Sequence, residues 1–315
     1  MLGKSGVMAA PRYGLLPRAT TLADAAEQLL EQGCTRLMND RLPAYFPNLI
    51  RDYVTLLEDP EHHVLRIDHP RELHADGEPD LGLREVLRGE RKKNPRSDEI
   101  KEGRLYYDES KAVFHYNQRA MGYYAPQQEL VSRHGEFFRD LAMLQGECML
   151  LGYELAHHLD EKLPGFRFEK RMTESEHLMR LRLLHYLCDG NKPNIAQRHR
   201  DQNFLTIQVR SDAPGLWLAD KRQSIIADTE ETRHDSVLIF WGRKAWEITQ
   251  GRVEGALHGV NDTRFNGPGA RTPRHTIVAF LHASVSPEES AWALEHMEEL
   301  AIPSEISNYG LQTLA

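Results

Sequence analysis

The chain of 315 residues is 40% hydrophobic and 27% charged, a composition ordinary for a globular protein with a sizeable core. Its formal net charge of −8 argues against a nucleic-acid backbone as the main partner, because that binding draws on clustered Lys and Arg. We therefore expect a small-molecule partner and no nucleic acid.

The cysteines and the apolar stretches indicate the compartment. Cys34, Cys148 and Cys188 are odd in number and form no CxxC pair, which indicates reduced thiols rather than disulfides. The first residues lack the apolar core of a secretory signal, and no apolar stretch is long enough to span a bilayer. We therefore predict a cytoplasmic protein that does not bind membranes.

Three stretches of the first half predict helices. Thr20 or Thr21 can cap a helix whose apolar residues recur at helical spacing up to Gly33. A second helix is predicted over about 43–58, and a long one over about 127–163 with an apolar stripe typical of a core helix. We expect these helices to pack on a sheet.

The segment between the second and third predicted helices is of a different kind. Residues 59–98 are rich in charge, Pro and Gly, which indicates a loop region around one short helix. Loops of this length in a compact domain often serve as lids or binding loops. Two aromatic-rich runs follow, 104–107 and 111–117, and predict a hairpin.

A metal-binding pattern organises the second half of the chain. His199 and Asp201 are two residues apart, and an extended strand would place both side chains on one face. His258 lies in a second apolar segment, 57 residues beyond Asp201 (258 − 201 = 57), and is the candidate third ligand. Two His and one carboxylate leave other coordination positions open, the arrangement of non-haem Fe(II) oxygenases.

These residues stand within a longer run of motifs that resembles the isopenicillin N synthase-like family of Fe(II)/2-oxoglutarate-dependent dioxygenases. Residues 199–217, HRDQNFLTIQVRSDAPGLW, are similar to the family's HxD strand and the PGL turn after it. Further segments follow in the family's order: the strand DSVLIFWG at 235–242, the turn TQGR at 249–252, the segment ALHGV at 256–260 and the element RHT at 274–276. The resemblance is specific from about residue 181 to residue 282.

The resemblance implies a mainly β fold with flanking helices. Its core would be a double-stranded β-helix, the jelly-roll or cupin-like arrangement, with a helical N-terminal region. We expect one compact unit with three parts. Residues 1–178 would form a helical, substrate-covering region packed on the core, residues 179–285 the catalytic core, and residues 286–315 a C-terminal helix that Ser286 caps.

The resemblance also implies an enzyme. It would be an oxidoreductase with Fe(II) as cofactor and 2-oxoglutarate and O₂ as cosubstrates, which releases succinate and CO₂. We expect it to oxidise, most simply to hydroxylate, a C–H bond of a small polar metabolite or natural-product intermediate. The implied iron ligands are His199, Asp201 and His258.

The implied 2-oxoglutarate residues are Arg274, Thr276 and Tyr186. Arg274 with the Thr276 hydroxyl would clamp the distal carboxylate of the cosubstrate in a dry barrel. The spacing from His258 to Arg274, 16 residues (274 − 258 = 16), is longer than usual in the family, so Arg264 and Arg271 are nearby alternatives.

Substrate contacts are expected from the region that borders the cavity in the resembled family. The four candidates are Arg104, Tyr106, His115 and Arg182. Asp201 occupies the position that related halogenases leave free for halide, which favours hydroxylation. Desaturation or ring formation would use the same oxidant.

Three other functions stay open. A same-fold Fe(II) oxidase that uses no 2-oxo acid, for ring closure or desaturation, would not need Arg274 and Thr276. A non-catalytic metal-binding jelly-roll protein would keep the metal without consuming oxygen. A zinc hydrolase on a cupin-like barrel would need a general base near the metal ligands.

Overall fold

The computed structural model describes residues 16–61, 82–84, 111–117, 128–186, 194–219, 225–228, 230–261 and 273–300. Within these ranges the α-helices are α1 (Leu22–Gln32), α2 (Arg41–Ala44), α3 (Phe46–Glu58), α4 (Gln128–Arg133), α5 (Gly135–Lys162), α6 (Phe168–Glu174), α7 (Arg243–Ile248) and α8 (Pro287–Glu295). Short 3-10 helices cover Glu176–Leu178 and Met297–Leu300.

From β5 to β12 the chain passes repeatedly between two sheets, with β8 and β9 consecutive in the small sheet. They are β1 (Arg18–Ala19), β2 (Cys34–Met38), β3 (Gly82–Arg84), β4 (Lys111–Tyr116), β5 (Arg180–Tyr186), β6 (Asn194–His199), β7 (Leu205–Ser211), β8 (Leu216–Ala219), β9 (Ile225–Ala227), β10 (Ser236–Trp241), β11 (His258–Asn261) and β12 (Arg274–Leu281). The large sheet has the order β1-β2-β10-β7-β12-β5-β4-β3, and the small sheet has the order β6-β11-β8-β9.

The large sheet is buried on both faces, which explains the unbroken apolar runs 237–241 in β10 and 277–281 in β12. In β12, Ile277 and Ala279 belong to the core cluster that includes the helices. Val278 and Phe280 belong to a second cluster that includes Leu218 of the small sheet. Because successive strand residues face opposite sides, one face of β12 meets the helices and the other meets the small sheet.

Helix α5 is the main support behind the large sheet. Its buried residues recur at helical spacing and are Phe137, Phe138, Leu141, Leu144, Gln145, Cys148, Leu151, Gly152, Leu155, Ala156 and Leu159. The predicted single helix over 127–163 is divided into α4 and α5 at His134, whose backbone is not helical. The ring Nε2 of His134 lies 3.0 Å from Asp59 Oδ2, a contact that ties this break to the end of α3.

The first helix begins as the sequence predicts. The Thr21 hydroxyl accepts a hydrogen bond from the backbone N–H of Asp24, and Gly33 ends the helix in a left-handed conformation. Trp241 of β10 donates its indole N–H to the carbonyl oxygen of Leu29, 2.9 Å away. Helix α1 is therefore fixed to the large sheet by a buried polar contact as well as by packing.

Several predictions fall wholly or partly outside the described residues. The segments 62–81 and 85–98 of the predicted loop region lie there, as do the run 104–107 and Cys188. The division of the chain at residues 178 and 179 stays a prediction, and four strands from before it join the large sheet. Among the described residues, no helix combines the length and the apolar character that crossing a membrane requires.

Three polar side chains in contact with one another join the β7–β8 turn to the face of the large sheet that meets the helices. His275 Nδ1 lies 2.6 Å from Asp212 Oδ2, and His275 Nε2 lies 2.9 Å from His185 Nδ1. Burial, with a smaller contribution from His275, lowers the pKa of His185 to about 4 from 6.5. His185 is therefore neutral in the folded protein at neutral pH.

This histidine gives the stability of the fold a defined pH dependence. The unfolded chain protonates His185 below its ordinary pKa of 6.5, whereas the folded protein resists protonation until about pH 4. The free energy of unfolding should therefore fall as the pH is lowered through this window. We expect His185→Asn to reduce that pH dependence, as measured by urea unfolding at about pH 7 and about pH 5. Identical pH dependence in both proteins would contradict this assignment.

Candidate active site

The three predicted metal ligands lie together at one end of the small sheet. His199 ends β6, His258 begins β11, and the two residues are paired across these antiparallel strands. Asp201 Oδ1 lies 3.5 Å from His199 Nε2, and Asp201 Oδ2 lies 3.7 Å from His258 Nε2. One ligand atom from each of the three residues lies within 4.8 Å of the others, so the triad is positioned to bind a metal ion.

The local structure at Asp201 differs from the prediction. The prediction that His199 and Asp201 lie on one face of the same strand is wrong, because β6 ends at His199 and Asp201 stands in the turn beyond it. The turn is held by Arg243, whose backbone N–H donates to the carbonyl oxygen of Asp201 at 2.7 Å. The intervening Arg200 points away and contacts Glu254 at 2.5 Å. A turn therefore brings the carboxylate to the imidazoles.

Hydrogen bonds orient two of the ligands. The Thr206 hydroxyl donates to Asp201 Oδ2 at 2.7 Å, and the Asn203 amide contacts the same hydroxyl at 3.0 Å. His258 Nδ1 lies 3.0 Å from the carbonyl oxygen of Ala256. Since a carbonyl oxygen only accepts, Nδ1 carries the proton and the lone pair of His258 Nε2 faces the cluster.

The charge states of the ligands suit a divalent cation. Burial lowers the pKa of His258 to about 4, so the imidazole is neutral, as a metal ligand must be. Burial alone would raise the pKa of Asp201, but the neighbouring His258 and His199 and the Thr206 hydrogen bond hold it well below its ordinary range. Asp201 is therefore ionised. The His199 side chain is 47% exposed, so the cluster is open on that side.

Gly242 allows the close packing of the turn that carries Asp201. A Cβ atom at this position would overlap the carbonyl oxygen and the side-chain Oδ1 of Asn203. No role was predicted from the sequence for Gly242, Asn203 or Thr206. The order Asp-x-Asn-x-x-Thr immediately after the HxD pattern was the available signal, but it gains meaning only from the turn.

The predicted 2-oxoglutarate residues lie together on the face of the large sheet that meets the small sheet. Arg274 is 2% exposed, and its Cζ lies 5.3 Å from the ring centroid of Tyr186, its partner on β5. Arg274 Nη2 donates to Glu231 Oε2 at 2.6 Å, and Nε donates to the carbonyl oxygen of Ala213 at 3.1 Å. Nη1 of Arg274 is buried and makes no hydrogen bond to the described residues. The Thr276 hydroxyl donates to the carbonyl oxygen of Arg210 at 3.1 Å.

The arginine and the triad lie at opposite ends of β11. Asn261, at the far end of β11 from His258, donates its backbone N–H to the carbonyl oxygen of Gly215 at 2.9 Å. Gly215 is two residues from Ala213, which accepts from Arg274 Nε. Three residues of strand separate His258 from Asn261, a distance of about 10 Å. Arg274 is thus separated from the triad along a buried strand.

Two of the four predicted substrate residues are described and are neighbours. His115 of β4 is paired with Arg182 of β5. The Cζ of Arg182 lies 4.6 Å from the ring centroid of Phe280, and that of Arg180 lies 5.9 Å from it. Phe280 is paired with Thr206, the residue that donates to Asp201. Arg104 and Tyr106 lie outside the described residues.

Comparisons with known proteins show similarity at the level of the fold. No family model and no curated protein matches the sequence. Solved structures share this fold, and three of them illustrate the likeness. A protein from Shewanella oneidensis assigned as an oxygenase is 17% identical, with a TM-score of 0.66 over 92% of this chain and 100% of that chain. A Neurospora crassa protein in complex with alpha-KG and thymine is 16% identical, with a TM-score of 0.61 over 89% of this chain and 91% of that chain.

The third structure is AtDAO1 from Arabidopsis thaliana, a dioxygenase for auxin oxidation in complex with 2-oxoglutarate. It is 17% identical, with a TM-score of 0.57 over 86% of this chain and 94% of that chain. This chain therefore shares the fold of these three structures, and the triad gives it a candidate metal centre. At these identities the likeness concerns the fold alone.

The Thr206 hydrogen bond should strengthen metal binding. Removal of a contact that orients a metal ligand commonly lowers affinity by about 10- to 100-fold. We expect Thr206→Val to weaken Mn²⁺ binding in this range, measured by calorimetric titration of the metal-free protein, because Asp201 loses its fixed orientation. Thr206→Ser keeps the hydroxyl and should retain most of the affinity. Equal affinity of the Val and Ser variants would show that this hydrogen bond does not contribute.

Proposed function

We propose that this protein is a non-haem Fe(II)/2-oxoglutarate-dependent dioxygenase whose two sheets form the core of a double-stranded β-helix, or jelly roll. One observation carries the proposal. A His–Asp–His cluster with ligand atoms within 4.8 Å lies at one end of β11. A buried arginine, one of whose nitrogens has no hydrogen-bond partner in the described part of the chain, lies toward the other end. The first arrangement suits a metal, and the second suits an anionic group of a molecule held at that metal.

The donor set fits Fe(II). His199, Asp201 and His258 would hold it, because two imidazoles and one carboxylate bind this ion and leave coordination positions open. When bound, the iron supplies the redox chemistry by which oxidative decarboxylation of a 2-oxo acid is coupled to oxidation of a C–H bond. The protein would orient the reactants, and it keeps Asp201 ionised.

Arg274 is the principal candidate for the distal carboxylate of 2-oxoglutarate. Its buried Nη1 can donate a charge-assisted hydrogen bond in a site of low dielectric constant, where such bonds are strong. Tyr186, in contact with the guanidinium, forms a wall of the same site. Thr276 is a weaker candidate in this conformation, because its hydroxyl proton is directed to the carbonyl oxygen of Arg210. An oxidase that uses no 2-oxo acid would have no need of the arginine.

The substrate would approach from the side of Phe280. Arg182 and Arg180 both contact this ring, and His115 is paired with Arg182 on the neighbouring strand. Phe280 is paired with Thr206, which donates to Asp201, so these two guanidinium groups lie near the candidate metal centre. They favour a substrate with an anionic group, such as a carboxylate. The substrate is thus a small polar metabolite, and hydroxylation is the reaction expected first. Arg104 and Tyr106 remain candidate contacts.

Anaerobic binding of Fe(II) and 2-oxoglutarate tests the function directly. We expect a visible charge-transfer band in the wild type, no band in His199→Ala, and a requirement for at least about tenfold more 2-oxoglutarate in Arg274→Met. Matched controls are His157→Ala, on the exposed side of α5, and Arg252→Met, whose guanidinium packs over Phe166. Both controls should bind as the wild type does.

The outcomes separate the alternatives. Bound iron without a band in the wild type would exclude the 2-oxoglutarate assignment and favour the oxidase or the non-catalytic protein. Tight binding of zinc with hydrolytic activity and no oxygen consumption would favour the hydrolase. An unchanged requirement for 2-oxoglutarate in Arg274→Met would remove the arginine from the proposed clamp.

Arg182 should discriminate between charged and uncharged substrates. Once a carboxylic acid substrate is identified by succinate release, we expect Arg182→Met to lower kcat/KM for the acid by about 10- to 100-fold. The loss for the matching amide should be much smaller, because the amide has no charge to pair with the guanidinium. Equal losses for acid and amide would contradict an anion-binding role.

A further inference from the structure

The carboxylate of Glu231 is buried and fully engaged. Its Oε1 accepts from the backbone N–H of Leu216 at 3.1 Å. Its Oε2 accepts from Gln208 Nε2 at 3.1 Å and from Arg274 Nη2 at 2.6 Å. The side chain has no exposed surface, and that of Arg274 is 2% exposed. Three donors from three parts of the chain therefore fix the position of this carboxylate.

Glu231 determines which part of the guanidinium is available. Arg274 Nη2 is held by Glu231 and Nε by the carbonyl oxygen of Ala213, so the edge formed by these two nitrogens is occupied. Nη1 remains buried without a hydrogen-bond partner among the described residues. A buried donor without a partner is destabilising, and a bound acceptor would remove that cost. The guanidinium thus presents one end to the interior of the site.

Glu231 also neutralises Arg274 before any ligand binds. A buried guanidinium without a counter-ion would be strongly destabilising, and the ion pair removes that requirement for an anion. A ligand carboxylate must therefore be recognised through the directed Nη1 donor, with little net positive charge to attract it. Recognition of this kind depends on where the donor points, and hence on Glu231.

We propose that Glu231 is a positioning residue for the cosubstrate, which directs Arg274 Nη1 at the distal carboxylate of a 2-oxo diacid and so sets the preference for a diacid over a 2-oxo monoacid. This inference rests on the proposed function. It assigns to Glu231 no contact with the reacting atoms. Its effect passes through Arg274 alone.

The test compares two ligands that differ only in the distal part. The Mn²⁺-loaded protein is titrated in a calorimeter with 2-oxoglutarate and with 2-oxobutyrate, and the ratio of the two dissociation constants is measured. We expect Glu231→Ala and Glu231→Asp to reduce the preference for 2-oxoglutarate by at least about tenfold, since both withdraw the acceptor from Nη2. Affinity for 2-oxobutyrate should change by less than about threefold.

Two further variants distinguish positioning from a general structural role. Glu231→Gln keeps an acceptor for Nη2 and should restore most of the preference. Asp228→Asn alters a second buried acid, paired with Arg36, and should leave the ratio unchanged even where it alters stability. Adding Glu231→Ala to Arg274→Met should cause no further loss of the preference, because Glu231 acts only through the donor that Arg274→Met has already removed.

Each remaining outcome decides the question. An unchanged ratio in Glu231→Asp, or parallel loss of both ligands in every Glu231 variant, would overturn the inference while leaving the proposed function intact. If Glu231→Ala does not fold, Glu231→Asp and Glu231→Gln carry the test. A wild-type protein that binds Mn²⁺ but neither 2-oxo acid would overturn the proposed function, and the inference with it.

Discussion

The antiparallel pairing of β6 with β11 is the constraint on which the site depends. It places His199 opposite His258, so two ligands that are far apart in sequence are brought together by backbone hydrogen bonds. Asp201 then needs only a turn, supported by Thr206, to complete the cluster. The small sheet can hold this geometry because it packs on the large sheet, whose other face is covered by helix α5. The packing and pairing of the two sheets thus determine the positions of the three candidate metal ligands.

The sequence was sufficient to predict that His199, Asp201 and His258 come together, and it singled out Arg274, because each stands in a motif with a fixed order. It could not predict the surroundings of Arg274. Glu231 lies in a charged turn just before the 235–242 strand and belongs to none of the motifs, and only the fold brings its carboxylate to the guanidinium. The same holds for Gly242, whose role depends on the approach of Asn203 from another turn.

Local structure was predicted well where the signal was local and poorly where tertiary contacts competed. The cap at Thr21 follows from a side chain and a backbone N–H three residues away. The break at His134 interrupts a continuous helical pattern, and it coincides with a contact to Asp59, 75 residues distant in sequence. The end of β6 at His199 likewise reflects contacts made by Asp201 and Arg200 with later parts of the chain. Hydrophobic periodicity in the sequence does not predict these tertiary contacts.

The short strands near the start of the chain affect the behaviour of the large sheet toward other molecules. Without them β10 would end the sheet with an apolar strand whose backbone groups lacked partners, a known route to aggregation. Strand β2 instead covers β10 over the five residues Cys34–Met38, and β1 covers part of β2 over only two, Arg18–Ala19. The sheet is thereby reduced to a very short edge on this side. Strands β1 and β2 therefore hinder intermolecular pairing at this edge of the large sheet.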